Sequence, residues 1–164
     1  MIYQMKQKLF AFGDDFVVKD GEGRDVYVVD GRAISLGDQL AIRDMQGNEL
    51  AYIKQKLLAI GATYEIHRGG QVQAIVKKAL FTLFRHRFTV DVEGPDDLVA
   101  QGDFLGHEYT FSRGDRTVAT VSKRWIALTD TYGVDVAEGE DPVLLLASAV
   151  VIDQVLADEK KDRD

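Results

Sequence analysis

The residues of this chain that could do acid–base or metal chemistry are three histidines and two pairs of carboxylates. His67, His86 and His107 are scattered along the chain, and none is paired at the spacing that metal ligands need. Strand parity places His67 on a polar face, which indicates a surface histidine. Asp14–Asp15 and Asp96–Asp97 are chain neighbours, so in a strand they point to opposite faces and cannot act as an acid–base pair. We interpret both pairs as solvated loop residues.

The motifs that mark common active sites are also missing. The chain has no cysteine, which excludes disulfides, thiolate zinc sites and a cysteine nucleophile. It has no phosphate-binding loop, no Gly-x-Ser-x-Gly elbow and no dinucleotide fingerprint. The nearest approach to a calcium loop begins at Asp20, but Asp25 is at its sixth position and Gly31 at its twelfth, which favours a hairpin turn. We therefore expect no catalytic residue, no cofactor, no metal and no enzymatic activity.

Two other places carry polar or amphipathic groups. In a strand, Tyr132 and Val134 share one face and Asp135 lies on the other, while Asp130 precedes the strand and can cap a turn. These residues can form a polar network, but their arrangement does not indicate catalysis. Trp125, the only tryptophan, is expected to pack near one end of the fold. A ligand mouth or a membrane interface is the alternative environment for its indole.

The most informative charge feature is a segment without carboxylates, which runs from Ile66 to Val90. An apolar stretch, 79–84, lies inside it between basic residues, an arrangement that suits an anionic lipid surface. The candidate contacts with such a surface are Lys77, Lys78, Arg85 and Arg87. The alternative is a connector packed on the core, with basic residues that are merely solvated. The net charge of −7 opposes approach to an anionic bilayer unless the basic residues are segregated.

The sequence predicts that most of the chain consists of strands joined by tight turns, and these strands must position the candidate residues. Apolar residues alternate with polar ones in short runs, as Phe88, Val90 and Val92 do. Such alternation is typical of antiparallel sheets with one buried face. The turn signals between the runs are Asp20–Gly21, Asp30–Gly31, Gln46–Asn48, Arg68–Gly70, Gly94–Pro95 and Arg113–Asp115.

A weak internal repeat has the length of one hairpin. Gly23 and Tyr27 recur 24 residues later as Gly47 and Ala51, and the pattern returns at Gly70. Either duplication or the shared chemistry of tight turns explains it. Under both explanations the chain is a succession of hairpins.

The C-terminal segment is predicted to be a helix that is buried on all sides. Glu140–Asp141–Pro142 is typical of a helix start, because a carboxylate can cap the helix and proline fits its first turn. The apolar residues of 143–156 cover nearly the whole helix circumference. A helix inside a closed barrel buries these residues, and closure removes exposed strand edges. A helix against an open sandwich, or one buried in a dimer, is the alternative.

Length and composition predict a single globular domain. Of the 164 residues, 46% are hydrophobic and 29% charged, and we assign 1–157 to one domain and 158–164 to a charged flexible tail. The acidic balance argues against nucleic-acid binding. The longest apolar run, Val143–Ile152, is too short to span a bilayer, and the N-terminus does not have the pattern of a signal peptide. We expect a cytoplasmic protein, either free or peripheral to a membrane.

The stretches Gly102–Phe104, Ala119–Lys123 and Asp130–Val136, followed by the apolar helix, resemble the LURP-one-related family. This family belongs to the tubby C-terminal-like superfamily, and phospholipid scramblases are further relatives. The resemblance covers nearly the whole chain and implies a closed antiparallel barrel of about twelve strands around a central hydrophobic helix. It implies no reaction, because the family has no established catalytic residues. Tubby-type relatives bind phosphoinositides through basic residues, but no such pocket aligns with residues of this chain.

Three functional hypotheses follow. The first is a non-enzymatic binding or scaffold protein that contacts anionic phospholipid headgroups or a protein partner. The second is a small-molecule-binding protein or enzyme with a site at a barrel mouth, although the central helix fills the space that a ligand would need. The third, a structural role in a homo-oligomer, would require an exposed apolar patch.

Overall fold

The turn signals of the sequence, with one exception, separate pairs of antiparallel strands. The computed structural model describes residues 1–6, 15–34, 37–57, 61–79, 87–94, 96–126 and 130–163. The strands are β1 (Ile2–Lys6), β2 (Asp15–Lys19), β3 (Asp25–Ile34), β4 (Gly37–Asp44), β5 (Glu49–Gln55), β6 (Thr63–Arg68), β7 (Gln71–Lys78), β8 (Arg87–Val92), β9 (Leu98–Asp103), β10 (Glu108–Arg113), β11 (Arg116–Ser122) and β12 (Thr131–Val136). One helix, α1 (Pro142–Arg163), follows them.

The strands form a closed barrel in which each strand pairs with its neighbours in the chain and β1 pairs with β12. The β1–β12 ladder joins five residue pairs, from Ile2↔Asp135 to Lys6↔Thr131. The β1–β2 ladder is much shorter and joins only Gln4 to Lys19 among the described residues. The closed antiparallel barrel expected from the sequence is therefore confirmed.

Because the strands alternate in direction, the connections fall into two sets at opposite ends of the barrel. The connections 20–24, 45–48, 69–70, 93–97, 114–115 and 137–141 join strands at the end where α1 begins, which we call the helix-start end. The connections 7–14, 35–36, 56–62, 79–86, 104–107 and 123–130 join strands at the other end, which we call the helix-finish end. Contacts of α1 support this direction, since Asp141 contacts Arg68 at one end and Asp158 contacts Tyr64 at the other.

The central helix is buried by the inward faces of the strands. Leu145, Val150 and Ile152 are at most 1% exposed, which confirms that α1 has no solvent-facing stripe in this region. The start of the helix is capped as predicted, because the Asp141 carboxylate accepts hydrogen bonds from the amides of Val143 and Leu144 at 3.1 and 3.3 Å.

The helix does not end where the sequence suggests. A flexible tail was expected from residue 158, but α1 continues to Arg163. Asp158 accepts hydrogen bonds from Tyr64 and Gln154, and Glu159 forms an ion pair with Lys78. The charged segment therefore extends the helix, and its first residues contact the barrel.

The exceptional turn signal is Asp30–Gly31, which lies inside β3. Asp30 pairs with Ala41 and Gly31 with Leu40 in an uninterrupted ladder between β3 and β4. An Asp-Gly pair favours a turn locally, but continued pairing on both sides of it overrides that preference here. The predicted turn at this position is wrong.

The repeated turns share one geometry. The Asp20 carboxylate accepts hydrogen bonds from the amides of residues 22 and 24, and the Asp44 carboxylate accepts them from residues 46 and 48. In each turn a glycine follows with positive φ, 82° at Gly23 and 89° at Gly47. Asp20 therefore begins a hairpin turn, as predicted.

Candidate functional site

Two of the basic residues singled out in the sequence lie on the outer wall of the barrel. Lys77 is at the end of β7, with its Nζ atom 3.8 Å from the Asp91 carboxylate of β8. Arg87 begins β8 and is exposed, and its Nε atom donates to the side-chain oxygen of Gln101 at 2.8 Å when the Gln101 amide is oriented to accept. Both residues lie near the helix-finish end, and each has a partner on a neighbouring strand.

The other two do not extend this surface. Lys78 follows Lys77 on the strand, so its side chain points to the opposite face, where it is only 14% exposed and forms an ion pair with Glu159 of α1. This lysine joins the barrel wall to the helix. Arg85 lies outside the described residues.

The connections at the helix-finish end are rich in basic and apolar residues. In the described part of these connections the basic residues are Lys56, Lys123 and Arg124, and the carboxylate is Asp130. Leu57, Leu105 and Trp125 are apolar residues of the same described connections. This composition is unlike that of a chain with a net charge of −7.

The connections at the helix-start end have the opposite charge. Their carboxylates are Asp20, Glu22, Glu93, Asp96, Asp97, Asp115, Glu138, Glu140 and Asp141, and their basic residue is Arg24. The arginines at nearby strand ends are paired with some of these acids, since Arg68 contacts Asp141 and Arg113 contacts Glu140. Within the connections, the topology therefore separates acidic from basic residues. The strand ends and the helix add Asp15, Asp103, Glu108 and Glu159 to the helix-finish end.

Six exposed residues of the helix-finish end form what we call the basic–apolar rim. They are Lys56, Leu57, Leu105, Lys123, Arg124 and Trp125. The apolar members are 55% (Leu57), 72% (Leu105) and 43% (Trp125) exposed. Neither Lys56 nor Lys123 has an ion-pair partner in the described part of the chain. Arg124 is 4.0 Å from the Glu108 carboxylate. The rim thus exposes large apolar side chains beside two lysines without an ion-pair partner and one weakly paired arginine.

The Trp125 indole packs closely against the barrel over a glycine of β12. A Cβ atom built at Gly133 of β12 would lie 3.0 Å from the Cε3 atom of Trp125. The absence of a side chain at Gly133 therefore lets the indole lie close to the strand. Trp125 lies near one end of the barrel, as the sequence suggested.

A second group of polar residues is buried between the barrel and the helix. Asp153 of α1 accepts a hydrogen bond from the Tyr132 hydroxyl of β12 at 2.5 Å through Oδ2. Its Oδ1 atom is 2.9 Å from Nε2 of His107, which ends the connection between β9 and β10. The His107 ring also stacks on the Tyr132 ring, with centroids 4.4 Å apart. We call His107, Tyr132 and Asp153 the interior triad.

Burial determines the protonation state of the tyrosines around this triad. Tyr132 and Tyr109 are almost fully buried, and burial, followed by the nearby Asp153 carboxylate, raises the pKa of both phenols well above the ordinary value of 10.0. Both phenols are therefore neutral at physiological pH. The Tyr109 hydroxyl and His107 Nδ1 are buried without a hydrogen-bond partner in the described structure.

The polar residues picked out around β12 do not form one network. Tyr132 points inward and belongs to the interior triad, and Val134 shares its face, as strand parity predicted. Asp135 instead lies 3.4 Å from the N-terminal amine, and Asp130 is an exposed turn residue with a φ of 63°. The carboxylate that completes the network, Asp153, comes from the helix.

His107 and Asp153 are the site residues that the sequence analysis missed. They are 46 positions apart, and only the closed barrel brings them together. A signal was present, because Asp153 is a charged residue inside an otherwise apolar helical segment. Among the described residues, no group of three or more histidines and carboxylates is arranged to hold a metal ion.

The helix-start end contains a cluster that fixes the start of the helix. Glu140 accepts hydrogen bonds from Arg113 at 2.7 Å and from Arg116. The hydrogen bond from Arg113, the largest of several causes, holds the pKa of the Glu140 carboxyl below its ordinary value, and the same pair raises the pKa of Arg113. These ion pairs are structural contacts at the helix start.

No helix within the described residues has the length and hydropathy needed to cross a membrane. α1 is apolar over its first half only, and its last turns are charged. The inward-facing strand residues cover its apolar residues.

Known proteins resemble this chain in sequence and in fold. The family model described as LURP-one-related matches residues 1–153. A Bacillus subtilis (strain 168) protein described as uncharacterized protein YxjI is 33% identical over 159 residues, which cover 96% of this chain and 95% of that protein. An X-ray structure of an Arabidopsis thaliana protein superimposes with a TM-score of 0.64 at 16% identity, covering 98% of this chain and 91% of that one. That structure has the same fold.

Proposed function

We propose that this chain, which belongs to the LURP-one-related family, is a non-enzymatic binding protein whose basic–apolar rim contacts an anionic phospholipid surface. The observation that carries the proposal is the separation of charge along the barrel. Basic and apolar residues occur together at the helix-finish end, and the carboxylates of the connections are concentrated at the other end.

The separation answers the objection raised by the net charge of −7. A helix of 22 residues is about 33 Å long at 1.5 Å per residue. This length is several times the Debye length of about 8 Å at physiological ionic strength. Acids at the helix-start end are therefore screened from a surface that touches the helix-finish end, and the local charge of the rim decides the interaction.

The rim has the two components that a peripheral membrane contact uses. Lys56, Lys123 and Arg124 can each contribute about 1 kcal/mol near an anionic surface. Leu57, Leu105 and Trp125 are exposed beside them and can enter the boundary between headgroups and acyl chains. The contact should be weak and sensitive to salt, with an apolar component that salt does not remove.

The chemistry inside the barrel supports a non-enzymatic role. The interior triad brings three titratable side chains into contact inside the barrel, but His107 is only 4% exposed and Tyr132 is fully buried. A catalytic group must reach its substrate. The bonds of this triad are instead made between elements of the fold.

Vesicle co-flotation tests the proposal. The protein is mixed with vesicles of phosphatidylcholine alone or with added phosphatidylserine, at low and high salt. We expect flotation with the anionic vesicles at low salt and much less at high salt. Lys56→Ser combined with Lys123→Ser should reduce flotation at least about fivefold, because two of the three rim charges are lost.

Matched variants at the helix-start end provide the controls. Lys19→Ser with Arg24→Ser changes the net charge equally and should leave flotation unchanged. Leu57→Ser should reduce flotation more than Met45→Ser, since both residues are about half exposed but only Leu57 is in the rim. Equal effects at both ends, or no flotation of the folded wild type under any condition, would reject the membrane contact and favour a protein partner.

A further inference from the structure

The connection that carries Leu105 is fixed from inside the barrel. Residues Phe104–His107 form a tight turn in which the His107 amide donates to the Phe104 carbonyl at 3.2 Å. Both corner residues point inward, with Phe104 2% and His107 4% exposed, whereas Leu105 between them is 72% exposed. The turn therefore presents one apolar side chain outward while two inward side chains hold it.

The two inward side chains are held in different ways. Phe104 packs against Phe88 and Tyr109, with ring centroids 5.0 and 4.8 Å away. His107 is held by the interior triad, through the 2.9 Å contact with Asp153 and the stacking on Tyr132. The polar contact connects the turn directly to the central helix.

The backbone conformation of His107 gives its side-chain contacts a structural role. Its φ is 51°, in the left-handed region that non-glycine residues rarely adopt. Such a conformation costs free energy and persists where surrounding contacts enforce it. The Asp103 carboxylate also accepts a hydrogen bond from the Gly106 amide at 2.9 Å. Loss of the His107 side-chain contacts would leave this bond and the packing of Phe104 to hold the turn.

We propose that the interior triad is a latch that holds the 104–107 turn and thereby positions Leu105 in the basic–apolar rim. The latch is a positioning device and takes part in no reaction. Its effect on membrane contact rests on the function proposed above, whereas its effect on the turn does not.

The hydrogen-bond chemistry of the triad identifies the variant that should open the latch. Nδ1 of His107 is buried without a partner among the described residues, whereas Nε2 faces the Asp153 carboxylate, so Nε2 carries a proton and donates it to Asp153. In Asp153→Asn the amide oxygen can still accept from Tyr132, but the amide nitrogen then faces Nε2. The ring must either lose this hydrogen bond or move its proton to Nδ1, where it has no acceptor.

Amide hydrogen exchange measures the latch. In Asp153→Asn we expect exchange of the 104–107 amides to become at least about tenfold faster, while amides of β6 keep their protection. Ser148→Ala is the matched control, because Ser148 is a fully buried polar residue of the same helix whose hydroxyl donates to the Leu144 carbonyl at 2.8 Å, within the helix itself. It should not change exchange in the turn.

A second pair of measurements separates the latch from the membrane contact. Leu105→Ser should lower vesicle flotation without making exchange of the turn amides faster. Asp153→Asn should change both flotation and exchange.

Unchanged exchange in folded Asp153→Asn overturns the latch, as does an equal change in Ser148→Ala. If Asp153→Asn does not fold, His107→Asn takes its place with the same criteria, because asparagine tolerates the left-handed backbone but removes the ring that contacts Asp153 and stacks on Tyr132. If wild type does not float, the membrane contact fails and exchange alone decides the latch.

Discussion

Gly102 of β9 lies opposite Tyr109 of β10, with a φ of 138°. A Cβ atom there would lie 2.7 Å from the Glu108 carbonyl oxygen. We predict that Gly102→Ala lowers the free energy of unfolding by about 3 kcal/mol, because an unfavourable backbone conformation and a steric overlap each cost about 1–3 kcal/mol. Urea denaturation measures the change. Gly21→Ala is the control, since its Cβ would meet only the Ile2 carbonyl at 3.6 Å, and equal losses would contradict the prediction.

Glu140 makes the stability of the helix start dependent on pH. Its pKa is lowered in the folded state from an ordinary value of 4.5, mainly by the hydrogen bond from Arg113. A carboxyl with a depressed pKa stabilises the fold above its ordinary pKa, and this contribution is lost as the pH falls through the folded value. Glu140→Gln should therefore cost roughly 1–3 kcal/mol at neutral pH.

Urea titrations of both proteins between pH 7 and pH 2 test this assignment. The stability difference between wild type and Glu140→Gln should shrink steadily below the ordinary pKa of glutamate. A difference that is the same at both ends of the range would mean that the ionised form of Glu140 is not what stabilises the fold.

At the scale of elements, α1 is the part of the structure on which all strands depend. Leu146 is fully buried in its first half. We predict that Leu146→Asp prevents folding, because an unpaired buried charge costs several kcal/mol against a total stability of about 5–15 kcal/mol. Leu146→Met, which nearly conserves volume, should fold and melt cooperatively. Circular dichroism melts compare them, and a native-like melt of Leu146→Asp would disprove the central role of the helix.

The elements themselves could be predicted from the sequence because their signals are local. Alternation within runs such as β8 and the capping sequence at Asp141 each depend on a few neighbouring residues. The predicted turn at Asp30–Gly31 was wrong because this signal is also local. The long-range pairing of β3 with β4 outweighs the local preference for a turn there.

The interior triad could not be predicted in the same way. A helix that is apolar all round gives no indication of which side faces which strand, so the partner of Asp153 depends on the rotation of α1 inside the barrel. His107 lies in a connection 46 positions before Asp153, and Tyr132 lies in a strand 21 positions before it. Only the closure of the barrel fixes their distances from Asp153. The rim was not predicted from the sequence either. The basic residues proposed there as lipid contacts, Lys77, Lys78, Arg85 and Arg87, do not belong to it, and of its six residues only Trp125 was singled out in the sequence.

At the scale of the whole molecule, side chains fill the interior of the barrel. We therefore expect a binding partner to contact the ends or the outer wall. The helix and the inward strand residues form one continuous apolar core. A ligand-carrying barrel keeps its centre open, and this one does not. Differences in binding between related barrels should therefore arise from their connections, whose composition here differs so strongly between the two ends.

The position of α1 after all twelve strands has a consequence for how the protein is made. During synthesis the strands leave the ribosome before the segment that fills their interior, and β1 must wait for β12 before the barrel can close. Contacts between residues so distant in the chain make folding slow, and the apolar inner faces stay uncovered until the helix arrives. Productive folding is thus postponed until α1 has been synthesised, and the nascent chain is the form of this protein most in need of a chaperone.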